Sequence, residues 1–175
     1  MVLIKQSLFL FILTALLFST GCSVSSSFKP GGSGGDIAAS SILIPLLDND
    51  APQGPTSLSI DFTEVLRDYF QSNSKLIVNS DLPSDLELTG VINDLSTRQI
   101  QNNVEDGTST QSELVVRISI SYTDNNDPDQ NVTKSFSQTT PYDANLTLDQ
   151  ATDELLPEIL DLLAQDIFNS TVARW

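Results

Sequence analysis

The chain has 175 residues, 8 Lys and Arg against 23 Asp and Glu, a formal charge of −15, no histidine and a single cysteine. This balance argues against binding nucleic acid or an anionic membrane surface through a basic face, and one cysteine permits no intramolecular disulfide. Without histidine or a spare thiol the usual acid–base and nucleophilic catalysts are missing, so the chain is expected not to be an enzyme.

At the N-terminus, Lys5 precedes an apolar run from Leu8 to Phe18, which is followed by Ser19-Thr20-Gly21-Cys22. A run of about 11 residues suits the hydrophobic region of an export signal and is too short for a membrane-spanning helix. Small residues before a cysteine resemble a bacterial lipobox, although Ser19 stands where leucine is usual. Residues 1–21 are therefore expected to be a lipoprotein signal peptide and Cys22 the acylated, palmitate-type anchor. Two or three acyl chains hold a protein stably at a membrane, whereas one binds reversibly. Residues 22–40 then read as the lipidated cysteine and a flexible tether, with Ser23-Val-Ser-Ser-Ser27 and Gly31-Gly-Ser-Gly-Gly35 as linker composition.

The folded domain is expected over residues 41–175. Ile42 to Leu47 reads as a strand with Pro45 at an edge or bulge, and Asp48-Asn-Asp50 as a turn. Ser57 is a candidate N-cap for a helix carrying Leu58, Phe62, Val65, Leu66, Tyr69 and Phe70 on one stripe. Lys75–Asn79 reads as a short strand. Asp85–Asp94 alternates, with Leu86, Leu88 and Ile92 on one face and Gly90 marking a bulge or a helix crossing closely above. Gln99–Gln111 is polar and contains the turn signal Asp106-Gly107. Glu113–Tyr122 is a strand with Leu114, Val116, Ile118 and Ile120 facing one way. It is joined through the Asp124–Asn131 loop to a strand over Lys134–Thr140. Thr147 with Gln150 forms a capping box for the last helix, whose apolar stripe runs from Leu148 to Phe168, and Pro157 is expected to kink or split it.

This order predicts an α+β two-layer sandwich: one mostly antiparallel or mixed sheet of about four strands, with two helices packed on one face. The other face (Glu87, Thr89, Arg117, Ser119) and an edge are left for a partner or for water. The Asp124–Asn131 loop fails as a calcium loop, because the required glycine and glutamate positions hold other residues. No Gly-x-Ser-x-Gly elbow, phosphate loop or zinc spacing occurs, so no cofactor and no metal are expected.

With the lipobox and this order in place, the chain resembles the LptE family of lipopolysaccharide-assembly lipoproteins. The stretches that carry the resemblance are Ser41–Asn49, Leu58–Phe70, Leu86–Ile92, Val116–Tyr122 and the ending Asp166-Ile-Phe-Asn-Ser-Thr-Val-Ala-Arg-Trp175. The resemblance implies an outer-membrane lipoprotein of Gram-negative bacteria on the periplasmic face. Such a protein partners and helps assemble the large β-barrel LptD, which delivers lipopolysaccharide to the cell surface. Ser23 and the lack of an acidic run after Cys22 agree with that location. It also implies lipopolysaccharide binding through basic residues, but here these are few and scattered (Lys75, Arg98, Arg117, Lys134), a departure that disfavours direct binding. Within this reading, partner contacts are expected at the strand edges and two loops, at Asp48, Asn49 and Asp50 and at Asp124, Asn126 and Asp127. A free-standing lipoprotein binding a glycan or other small ligand is the alternative. With one Trp and three Tyr it would have few aromatic platforms.

Overall fold

The computed structural model describes residues 39–104 and 107–173. The signal peptide, Cys22, nearly all of the tether and the last two residues, Arg174 and Trp175, lie outside them. The elements are β1 (Ser41–Leu43), β2 (Asp48–Asn49), α1 (Leu58–Asn73), β3 (Ile77–Asn79), β4 (Leu86–Val104), β5 (Gly107–Asp124), β6 (Val132–Asp143) and α2 (Leu148–Thr171). They form one mixed sheet in the order β3-β1-β4-β5-β6, with β2 also paired to β4. The β1/β3, β1/β4 and β2/β4 pairs are parallel, and the two long hairpin pairs are antiparallel. Both helices pack on one face, as the apolar stripes require.

The sheet has six strands, more than the four or so expected. One difference lies at Pro45: the Ile42–Leu47 run is not a single strand but ends β1 at Leu43 and resumes as β2 over Asp48–Asn49. Pro45 lacks the N–H a ladder needs, so the strand breaks there. Asp48-Asn49 is therefore not a turn; it pairs with Val91 and Ile92. The second difference is the polar stretch Gln99–Gln111, which continues β4 and β5 as a long hairpin. Of the expected turn signal Asp106-Gly107, Asp106 lies outside the described residues, as does Glu105. Since β6 leaves β5 at the Gln111–Asp143 pair, the ribbon beyond is two strands wide. Its composition is polar, unlike the apolar alternation of the core segments of β4 and β5.

The core is assembled from alternate positions. Leu86, Leu88 and Ile92 of β4 face Leu114, Val116, Ile118 and Ile120 of β5 on the helix side, all essentially buried. A bulge at Asn93 shifts the register between Ile92 and Asp94. The extra residue changes the parity of β4, so that Leu95 also lands in the core. The bulge sits three residues after Gly90 and not at it. Nor does a helix crowd Gly90: a Cβ there would meet Ile120 Cδ1 at 2.5 Å, Ser119 O at 2.9 Å and Leu47 Cδ2 at 3.3 Å.

Helix α1 buries Leu58, Phe62, Leu66 and Phe70, one per turn. Ser57 makes no side-chain cap, because it is already helical (φ −82°, ψ −9°), whereas capping needs an extended residue. In α2, Thr147 Oγ1 accepts from Gln150 N at 3.3 Å and Thr147 N donates to Gln150 Oε1 at 3.0 Å, the complete capping box. Pro157 neither splits nor ends α2. It lies on the exposed side, where water can satisfy the Asp153 carbonyl that loses its helical donor. The helices meet through Phe168, edge-on to Tyr69 (5.5 Å) and Phe70 (5.1 Å). One residue of the α2 stripe departs from the core: Leu162 is 38% exposed.

Candidate functional site

No group of three or more metal-ligating side chains occurs among the described residues. Three features of the surface can be built from the residues up.

The first surrounds the predicted contact residues. Asp48 and Asn49 lie in β2 beside Val91 and Ile92, and Asp50 N donates to Ile92 O at 2.9 Å. Asn49 Oδ1 accepts from Ala51 N at 3.1 Å. Asp124 ends β5 opposite Leu86, five residues earlier on β4. The two groups are thus separated by roughly 17 Å along the strand and do not form one cluster. The second loop is closed by its own side chains. Asp124 Oδ1 accepts from Asn126 N (2.8 Å) and Asp127 N (3.0 Å), and Asp127 Oδ1 accepts from Asp129 N (3.3 Å). These are Asx-type turns, which use the carboxylates to hold the loop's shape.

The second feature, not foreseen from the sequence, is Asp85. Its Oδ2 accepts from Ser40 N (2.7 Å), Ser40 Oγ (2.8 Å), Ser41 N (3.2 Å) and Ser41 Oγ (3.3 Å). The Ser40 backbone N–H and then its hydroxyl hold the carboxyl down at about 2, against an ordinary 3.8. Asn125 joins the same corner, donating to Asp85 O and Ser84 O, each at 2.9 Å. The carboxylate therefore fastens the start of β1 to the start of β4, and the neighbouring main-chain carbonyls tie in the β5–β6 loop.

The third is the sheet face away from the helices. It is largely hydroxyl-bearing: Ser119 Oγ lies 3.2 Å from Ser135 Oγ and 2.8 Å from Asn93 Oδ1, and Ser121 Oγ lies 3.1 Å from Thr133 Oγ1. Arg117 pairs with Asp94 at 2.6 Å, and Arg98 pairs with Glu113. Between these ion pairs Val115, 3% exposed, is covered on the open face. Each pair is surface-exposed on its arginine side and contributes under about 1 kcal/mol. Their chief effect is to neutralise both arginines of this face. Of the other basic residues expected to be scattered, Lys134 is on β6 and Lys75 precedes β3. The described cations are thus spread over different elements, and two are already paired.

Among the described residues the chain is a two-layer α+β domain, and none of its helices is long and apolar enough to cross a membrane. The family model for LptE, described as lipopolysaccharide-assembly, matches residues 39–171, and the chain belongs to that family. No curated protein matches. Among solved structures, a minor lipoprotein of Acinetobacter baumannii is similar at 16% identity and a TM-score of 0.51, covering 78% of this chain and 95% of its own. A protein of Xanthomonas campestris is similar at 11% identity and a TM-score of 0.54, covering 82% and 90%. At these identities the likeness establishes the fold.

Proposed function

We propose that this chain is an outer-membrane lipoprotein, anchored through Cys22 on the periplasmic face, that partners and helps assemble an LptD-type β-barrel for lipopolysaccharide transport. The observation that carries this reading is the family match, which runs from Ala39 to Thr171. The lipobox-like run before Cys22 supports the anchor. The role is non-catalytic, in keeping with a chain that has no histidine. Direct lipopolysaccharide binding is not part of the proposal, because both arginines of the open face are already paired with carboxylates.

Affinity purification of the tagged full chain from detergent-solubilised outer membranes tests it. A large β-barrel protein should co-purify, and depletion should reduce surface lipopolysaccharide. Recovery of the acylated chain without a barrel would sink the partnership while leaving the anchor standing. Arginine at Asp48, Asp50, Asp124 or Asp127 is expected to weaken barrel association more than arginine at Gln99 or Gln111. Equal effects would remove those loops from the interface.

A further inference from the structure

The two edges of the sheet differ. One ends in β3, three residues long, with the two-residue β2 farther along the same side of β4. The other is β6, twelve residues in unbroken register with β5 and with no described strand on its second side. Exposed edges are normally guarded by shortness, charge, proline or a bulge, because an open row of N–H and C=O groups recruits another strand. β6 has such guards only near its ends, at Lys134 and at Pro141 and Asp143. Between them Ser135-Phe-Ser-Gln-Thr-Thr140 has no charge, proline, glycine or bulge. Six residues of open ladder span about 20 Å, the length of an ordinary strand.

The flank of this edge is specific. Gln138 Nε2 donates to Asp166 Oδ2 at 2.6 Å, which places that side of α2 along β6. One turn back on the same side is Leu162, the residue of the α2 stripe left 38% exposed, and one turn further is Glu158, also exposed. The flank therefore reads acidic, apolar, acidic, at about 6 Å per four residues of helix. Side chains on one face of a strand recur at about 6.8 Å, close to that spacing.

We propose that β6 is a docking edge for an extended segment of a partner polypeptide, added as a seventh strand whose helix-side residues alternate basic and apolar. Backbone hydrogen bonding dictates an extended peptide, and the Glu158–Leu162–Asp166 flank selects its side chains by charge complementarity. A second copy is disfavoured, because α2 carries six carboxylates (Asp149, Asp153, Glu154, Glu158, Asp161, Asp166) and no Lys or Arg, and two such helices would be brought together. The inference stands apart from the barrel partnership and survives its failure.

Amide hydrogen exchange on the full chain in detergent tests it, with the peptide Lys-Thr-Val-Thr-Lys-Thr-Val-Thr-Lys as probe. Exchange within Ser135–Thr140 is expected to slow about tenfold. The same peptide with glutamate for lysine, or with a central proline, should leave it unchanged. Leu162→Lys, at a partly exposed position, should weaken the protection without lowering the melting temperature. Three results would overturn the proposal: no slowing at β6, equal slowing by the acidic peptide, or slowing that grows with chain concentration when no peptide is present.

Discussion

Asp85 is a surface carboxylate whose strength comes from the number of donors aimed at it. Its folded value lies below its unfolded one, so its contribution is complete above the ordinary 3.8 and is lost as pH falls towards about 2. Asp85→Asn should therefore lower the melting temperature at pH 7 and flatten its dependence between pH 4 and 2; thermal melts over that range check this. Thr152 is the converse case. Its Oγ1 is the buried side-chain polar atom without a hydrogen bond among the described residues. Thr152→Val keeps the shape and removes an uncompensated hydroxyl, so it should stabilise by about 1 kcal/mol in a urea titration. Gly90 tolerates no side chain: even Gly90→Ala places a Cβ 2.9 Å from the Ser119 carbonyl oxygen, and about 1–3 kcal/mol of destabilisation is expected.

Helices and strands differed in how far the sequence announced them. Helical spacing over Leu58–Phe70 and Leu148–Phe168 was legible because a stripe of large apolar residues has one mode of burial. The central strands were legible by alternation. The split at Pro45 and the polar ends of the β4–β5 hairpin were not, since ribbon residues beyond the core need no apolar alternation. Of the two outcomes expected at Pro157, a kink or a split, the split does not occur, because the residue faces water and packing on the other side holds both halves. Pro157→Ala should thus raise stability, by about 1–3 kcal/mol, with helix content unchanged by circular dichroism. The site was less legible still. Asp85, the Ser119–Ser135 and Ser121–Thr133 contacts and the β6 edge depend on pairings between distant segments. Asp48 and Asp124 looked alike as acidic loop residues, and only the register showed them to lie apart.

Across the whole domain, charge is divided by layer. Helix α2 presents only carboxylates, while the open sheet face carries two paired arginines, with Glu87 and Asp143 as further charges. A surface rich in anionic phosphate would repel the helical layer more than the sheet layer, an orienting effect that weakens as salt shortens the screening length.

The way β1 is held has a mechanical meaning. The chain arriving from the N-terminal side reaches the domain at Ser40 and runs straight into a strand flanked in parallel by β3 and β4. A pull along that strand loads its ladder bonds and the Asp85 contacts together, in shear, whereas a pull on an edge hairpin would break bonds one after another. Tension entering at Ser40 would thus be shared between two neighbouring strands and the Asp85 contacts rather than carried by one bond at a time.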